Sequence, residues 1–87
     1  MEPYIKNTET QYTSEEIRKI ISDQRDTELP YSTHRRRLVN LQIVPNLQGF
    51  YTEANLYLLQ TLDVFLRQSG TSIKLFIKII QQGKNHD

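Results

Sequence analysis

Apolar residues at helical spacing in the second half of the chain constrain its fold more than any other feature. They form two stripes, Leu58, Leu59, Leu62, Phe65 and Leu66, and then Ile73, Phe76, Ile77 and Ile80. Spacings of three and four residues place such side chains on one face of a helix. The pattern predicts a third helix over about 53–68, capped by Thr52, and a fourth helix that begins after Ser72. Lys74 and Lys78 are expected on the solvated face of the fourth helix, with contact to phosphate as the alternative.

A first helix is predicted over about 13–24. Thr13 and Glu16 have the Thr-x-x-Glu spacing of a capping box, and an apolar stripe follows at Ile17, Ile20 and Ile21. The stretch DQRDTELPY lacks periodicity and is expected to connect this helix to a second one.

The second helix contains STHRRRL, and Ser32 or Thr33 is expected to cap it. Leu38 and Leu41 lie three residues apart and should face inward together, which leaves the arginines Arg35, Arg36 and Arg37 on exposed faces. Pro45 is expected to stop the helix at or before Val44.

Short extended pieces and a turn follow. The segment 46–49 reads as a tight turn between IVP and GFY, which predicts a minimal β-hairpin. Phe50 and Tyr51 are expected to seat this turn against the third helix, with a contact from the Tyr51 hydroxyl to a nucleic-acid backbone as the alternative. Ser69-Gly70 is expected to end the third helix through a left-handed glycine.

Length and composition limit the class of protein. With 87 residues, the chain suits one small domain, expected over 12–82 with flexible tails at 1–11 and 83–87. There is no cysteine, which excludes disulfides and thiolate metal sites. No apolar run reaches the length of a membrane span, and no signal-peptide core is present, so a soluble, cytoplasmic protein is expected.

An enzyme is not expected. The two histidines, His34 and His86, have no partners at the spacing of a catalytic or metal site, and the glycines stand alone, so neither a metal nor a cofactor is predicted. Glu15 and Glu16 are explained by the helix dipole, which favours acids in a first turn.

Charge is distributed unevenly although the net charge is only +1. Residues 1–33 carry four basic against seven acidic groups, and 34–87 carry seven basic against three acidic groups. Two explanations of the arginine run remain open. The helix enters the major groove of DNA, with Ser32 and Thr33 near a phosphate, or the run is a solvated face paired with Asp23, Asp26 and Glu28.

Three segments, in order, resemble the MerR-type winged helix-turn-helix domain. YTSEEIRKI resembles its opening Tyr-Thr-x-x-Glu pattern, and STHRRRLVNLQIVP resembles its recognition helix with a Leu-or-Ile-x-Pro exit. GFYTEANLYLLQTLDVFLRQSGTSIKLFIKII resembles the family's wing exit and its next two helices, joined by a Gly-x-Ser turn. The resemblance covers about residues 12–80. It implies a mainly α fold of about four helices with a hairpin wing.

The chain departs from the family at three places. The connector between the first two helices is longer, Leu41 or Gln42 stands where a glycine usually ends the recognition helix, and the wing lacks the family's arginine. By the resemblance, the family's recognition-helix arginine falls on Arg35 or Arg36. No effector segment follows before Asp87, so a stand-alone DNA-binding head is expected.

The resemblance therefore implies a sequence-specific binder of double-stranded DNA that acts as a small transcriptional regulator. Its DNA-binding residues would be Ser32, Thr33, His34, Arg35, Arg36, Arg37, Asn46, Gln48 and Tyr51. An excisionase-like factor that bends DNA and a protein-interaction module of the same fold are the alternatives. Homodimers or tandem self-association are expected to supplement the limited contact area of one domain.

Overall fold

Four helices and a two-stranded sheet make up the part of the chain that the computed structural model describes, residues 10–84. The elements, in chain order, are β1 Gln11–Tyr12, α1 Ser14–Arg25, α2 Tyr31–Asn40, β2 Tyr51–Thr52, α3 Glu53–Leu66 and α4 Ile73–Lys84. The mainly helical class with four helices and a minimal sheet is confirmed. Most of the two predicted tails lies outside the described residues, but Gln11 belongs to β1 and residues 83–84 belong to α4.

Capping boxes begin two of the helices. At α1, the Thr13 hydroxyl accepts from the amide of Glu16 at 3.1 Å, and the Glu16 carboxylate accepts from the amide of Thr13 at 2.8 Å. At α3, Thr52 and Asn55 form the same reciprocal pair, with the Asn55 amide oxygen in place of a carboxylate oxygen. Both predicted caps are confirmed, because they depend only on residues three apart.

The sheet joins the starts of these two helices. β1 and β2 are antiparallel, with Gln11 opposite Thr52 and Tyr12 opposite Tyr51. The two tyrosines that precede the capping threonines are thus paired with each other. The predicted hairpin between IVP and GFY was wrong in this respect, since β2 takes its strand partner from the amino-terminal end of the described chain.

The wing is a hydrogen-bonded loop over 46–50. The Asn46 amide donates to the Phe50 carbonyl at 2.8 Å, and the Gly49 amide donates to the Asn46 carbonyl at 2.9 Å. The Asn46 side-chain oxygen accepts from the amides of Gln48 and Phe50, both at 2.9 Å. Gly49 has a φ of 91°, which L side chains rarely adopt. The predicted turn is therefore present, and Asn46 organises it.

α2 begins earlier than expected, and it ends before Val44 as predicted. Its N-cap is Pro30, whose carbonyl accepts from the His34 amide at 3.0 Å, so neither Ser32 nor Thr33 caps it. It ends at Asn40, and Gln42, with a φ of 58°, reverses the chain so that the Ile43 amide reaches the Leu38 carbonyl at 2.9 Å. The helix is over before Pro45 can act on it, and Gln42 occupies the left-handed position that glycine usually takes.

The connector before α2 contributes to the core. Leu29 is fully buried, its amide donates to the Ser22 hydroxyl at 2.8 Å, and its carbonyl accepts from Arg18 at 2.8 Å. These bonds set where α2 starts relative to α1. The longer connector is thus anchored at its end.

The core lies between α1, α2, α3 and β2. Its main cluster comprises Ile17, Ile21, Leu29, Leu38, Ile43, Tyr51, Leu56 and Leu59. Phe76 on α4 is also buried, and its ring centroid lies 5.2 Å from that of half-buried Phe65. α3 ends at Leu66 with Arg67 as its cap, and Gly70, with a φ of 79°, lies in the connector instead of directly after the helix. The predicted glycine ending of α3 was therefore wrong.

Candidate nucleic-acid interface

The segment Ser32–Arg37 is divided by the helix into an outer and an inner set of side chains. Ser32, Arg35 and Arg36 are exposed, whereas Thr33 is half-buried and His34 is buried. The side chain of Arg37 is only 11% exposed to solvent. Steps of about 100° per residue cannot leave a run of six side chains on one face. The sequence predicted all six side chains at the DNA surface, whereas the structure leaves only Ser32, Arg35 and Arg36 exposed.

Arg37 binds a buried carboxylate. Its Nη1 lies 3.0 Å from Oδ1 of Asp63 on α3, and that aspartate is only 2% exposed. The predicted exposure of Arg37 was wrong, and its proposed role in DNA binding does not hold in this structure. Helical spacing shows which face a residue takes, but the partner of Arg37 lies 26 positions along the chain.

Asp63 is shared by three guanidinium groups. Besides Arg37, Arg25 approaches it at 3.7 Å from α1 and Arg67 at 3.3 Å from just beyond α3. One carboxylate thus joins three helices. The acids expected to neutralise the arginine run do not do so in residues 10–84, where Glu28 pairs with Arg18 at 3.3 Å. Sequence reasoning missed Asp63, although it follows Leu59 by four residues and precedes Leu66 by three, a spacing that places the acid on the apolar face of α3.

His34 connects α2 to the start of α1. Its Nε2 lies 3.0 Å from the Ser14 hydroxyl oxygen, and the residue is 1% exposed. Burial lowers the pKa of His34 below its ordinary value, and the positive charge of Arg18 lowers it further; Glu15 opposes these effects, and the contribution of Arg37, which also lowers the pKa, is smaller still. The ring is accordingly neutral at physiological pH. The prediction that His34 lies at the DNA surface was wrong.

The exposed set forms the outer face of α2, defined here as Ser32, Arg35, Arg36 and Val39. These four line one surface depression together with Tyr31. A second groove, of about 420 Å³, connects Arg35 and Val39 to Gln42 and Val44 in the segment before the wing. Within residues 10–84, neither Arg35 nor Arg36 forms an ion pair. The outer face is therefore cationic and open, with an apolar side chain among its charges.

The wing residues also separate into outer and inner positions. Asn46 and Gln48 are exposed, although the Asn46 oxygen already accepts two amides of the loop. Tyr51 is only 8% exposed and belongs to the core, so it seats the segment instead of facing a ligand. The Tyr51 contact to DNA was thus a wrong prediction. Leu47, at the tip of the loop, is fully exposed.

Other kinds of site find little support in the described residues. Across 10–84, no three His, Cys, Asp or Glu side chains are grouped as ligands for a metal ion. None of the four helices combines the length and apolar character that crossing a membrane requires.

Comparisons with protein-family models, curated proteins and solved structures gave no significant match. The features of this structure that bear on function are therefore the outer face of α2 and the order of the elements around it.

Proposed function

We propose that this chain binds double-stranded DNA by laying the outer face of α2 in the major groove, as a small MerR-like winged-helix regulator acting at the nucleoid. The observation that carries the proposal is the pair Arg35 and Arg36, exposed and without a carboxylate partner within residues 10–84. Arginine in the major groove pairs bidentately with O6 and N7 of guanine, or binds phosphates at the groove edge.

The dimensions of α2 suit this placement. With its side chains a helix is about 10–12 Å across, and the major groove is about 12 Å wide, so the outer face of α2 can lie in it. Two of the three arginines remain for the nucleic acid, because Asp63 neutralises Arg37 on the inner side. We therefore expect that removing the charges of Arg35 and Arg36 abolishes most of the DNA affinity that the segment STHRRRL contributes.

The start of α2 supports a phosphate contact. Pro30 supplies no side-chain cap, so no cap side chain occupies the first-turn amides. Free amides at a helix start attract anions, and the exposed hydroxyl of Ser32 lies in that turn. This contact would position the helix without reading sequence.

The decisive experiment combines selection and mutagenesis. Duplexes that the protein retains from a random pool define a consensus, and fluorescence anisotropy on that consensus compares wild type with the double variant Arg35→Ala/Arg36→Ala. We expect a loss of about 1–3 kcal/mol for each arginine that reads a base, and a shallower salt dependence if either binds phosphate.

The matched control removes the same charge elsewhere. Lys74 and Lys78 are exposed on α4, so Lys74→Ala/Lys78→Ala changes the net charge equally while leaving α2 intact. The proposal requires the arginine variant to lose much more affinity than this lysine variant. Equal effects, or no enrichment of any duplex, would instead favour the protein-interaction alternative, whereas strong bending of bound DNA in a circular-permutation assay would favour an architectural role.

A further inference from the structure

An apolar side chain stands between the two exposed arginines. Val39 is 67% exposed and follows Arg35 by four residues and Arg36 by three. At about 100° per residue, Val39 lies about 40° from Arg35 and about 60° from Arg36 around the helix axis, one turn further along. Arg35 and Val39 line both surface grooves described above, and Arg36 lines one of them. The three side chains therefore belong to one continuous surface.

This combination suits a particular chemical surface. Two guanidinium groups require an anionic or acceptor-rich partner, and a valine between them gains from an apolar group on that same partner. Guanine offers O6 and N7 acceptors in the major groove of DNA, and the C5-methyl of thymine is the apolar group on the base edges there. A purely electrostatic contact with the phosphates would leave Val39 without an apolar partner.

We propose that Val39 packs against a thymine C5-methyl, so that the protein selects sites in which a thymine lies close to a guanine read by Arg35 or Arg36. This specificity rests on the DNA binding proposed above. Four residues of helix advance about 6 Å, and successive base pairs are about 3.4 Å apart, which puts thymine and guanine within about two base-pair steps if α2 lies along the groove.

Deoxyuridine tests the methyl contact directly, because it differs from thymidine only in lacking that methyl group. In the selected consensus duplex, each thymine is replaced in turn, and the affinities of wild type and Val39→Ala are measured. Wild type should lose about fourfold in affinity at one thymine near an essential guanine, as expected for one methyl group no longer buried. Val39→Ala should bind the thymine and deoxyuridine duplexes equally well at that position.

Two comparisons separate this inference from the proposed function. Val64→Ala removes a similar side chain, 53% exposed on α3, and should retain the wild-type preference for thymine. Circular dichroism melts establish that both variants fold. Binding that depends on Arg35 and Arg36 but gives Val39→Ala the same deoxyuridine response as wild type, or a consensus without thymine near guanine, refutes the Val39 contact alone. Binding indifferent to Arg35→Ala/Arg36→Ala removes the basis for both proposals.

Discussion

Replacing Asp63 by asparagine tests the idea that Arg37 is a structural residue. Asparagine keeps the size of the side chain and removes its charge, which leaves three guanidinium groups around a neutral amide. The Arg37 side chain is only 11% exposed, and in Arg25 both Nε and Nη1 are buried without a hydrogen-bond partner in the described chain. These cations cannot recover full hydration without disturbing the contacts between helices.

The expected magnitude follows from that burial. Breaking a buried ion pair by removing one partner costs about 3–5 kcal/mol. Arg67, with a side chain 47% exposed, should contribute little to this loss because water screens it. Total stability for a domain of this size is about 4–13 kcal/mol, so Asp63→Asn should remove a large part of it. For 60–100 residues, each 1 kcal/mol shifts Tm by about 4–8 °C, and we expect a fall of about 12 °C or more.

Urea unfolding followed by circular dichroism measures the effect. Asp23→Asn is the matched control, since Asp23 is exposed and forms no ion pair within residues 10–84, and it should change stability by less than about 0.5 kcal/mol. The double variant Arg37→Met/Asp63→Leu should be more stable than Asp63→Asn, because apolar residues can replace a buried pair. A loss below about 1 kcal/mol for Asp63→Asn would refute the assigned role of the carboxylate.

Three further predictions concern stability and local order. Burial lowers the pKa of His34, so near pH 6 the unfolded chain binds more protons than the folded chain does. The contribution of His34 to stability is therefore fully present above about pH 6.5 and is lost as the pH falls below that value. Between pH 7.5 and 5.5, urea midpoints should fall for wild type and much less for His34→Gln, whereas parallel curves would contradict this. Gln42→Gly should raise the free energy of unfolding by about 0.5–1 kcal/mol, since only glycine adopts the left-handed conformation without cost, and Gln42→Ala should give no such gain. Asn46→Ala should accelerate hydrogen exchange at the Gln48 and Phe50 amides, which lose their acceptor, while exchange in α3 stays unchanged; unaltered rates at both amides would show that the loop does not depend on this side chain.

The two proposals depend on different features of α2. The proposed function needs only the charges of Arg35 and Arg36, and these were identifiable from the sequence as members of a basic run. The thymine contact needs Val39 to lie beside them on an open surface. Its exposure could not be read from sequence, because valine is among the residues that proteins most often bury.

The sequence by itself determined the features that depend on neighbouring residues. Caps at Thr13 and Thr52, the apolar stripes of α1 and α3 and the turn at Asn46 all arise from interactions over three or four positions, and helical periodicity placed the apolar faces of these two helices inward. These interactions are available to any short segment. They sufficed to predict four helices to within a few residues at most of their ends.

Only the tertiary structure decided which members of STHRRRL face solvent. His34 is buried because Ser14 meets it from α1, and Arg37 is paired because Asp63 meets it from α3. The pairing of β1 with β2 likewise joins positions about 40 apart. Contacts between distant positions depend on how the helices pack together, which no local pattern specifies. That packing leaves Arg35, Arg36 and Val39 on the outside as the candidate DNA-reading surface.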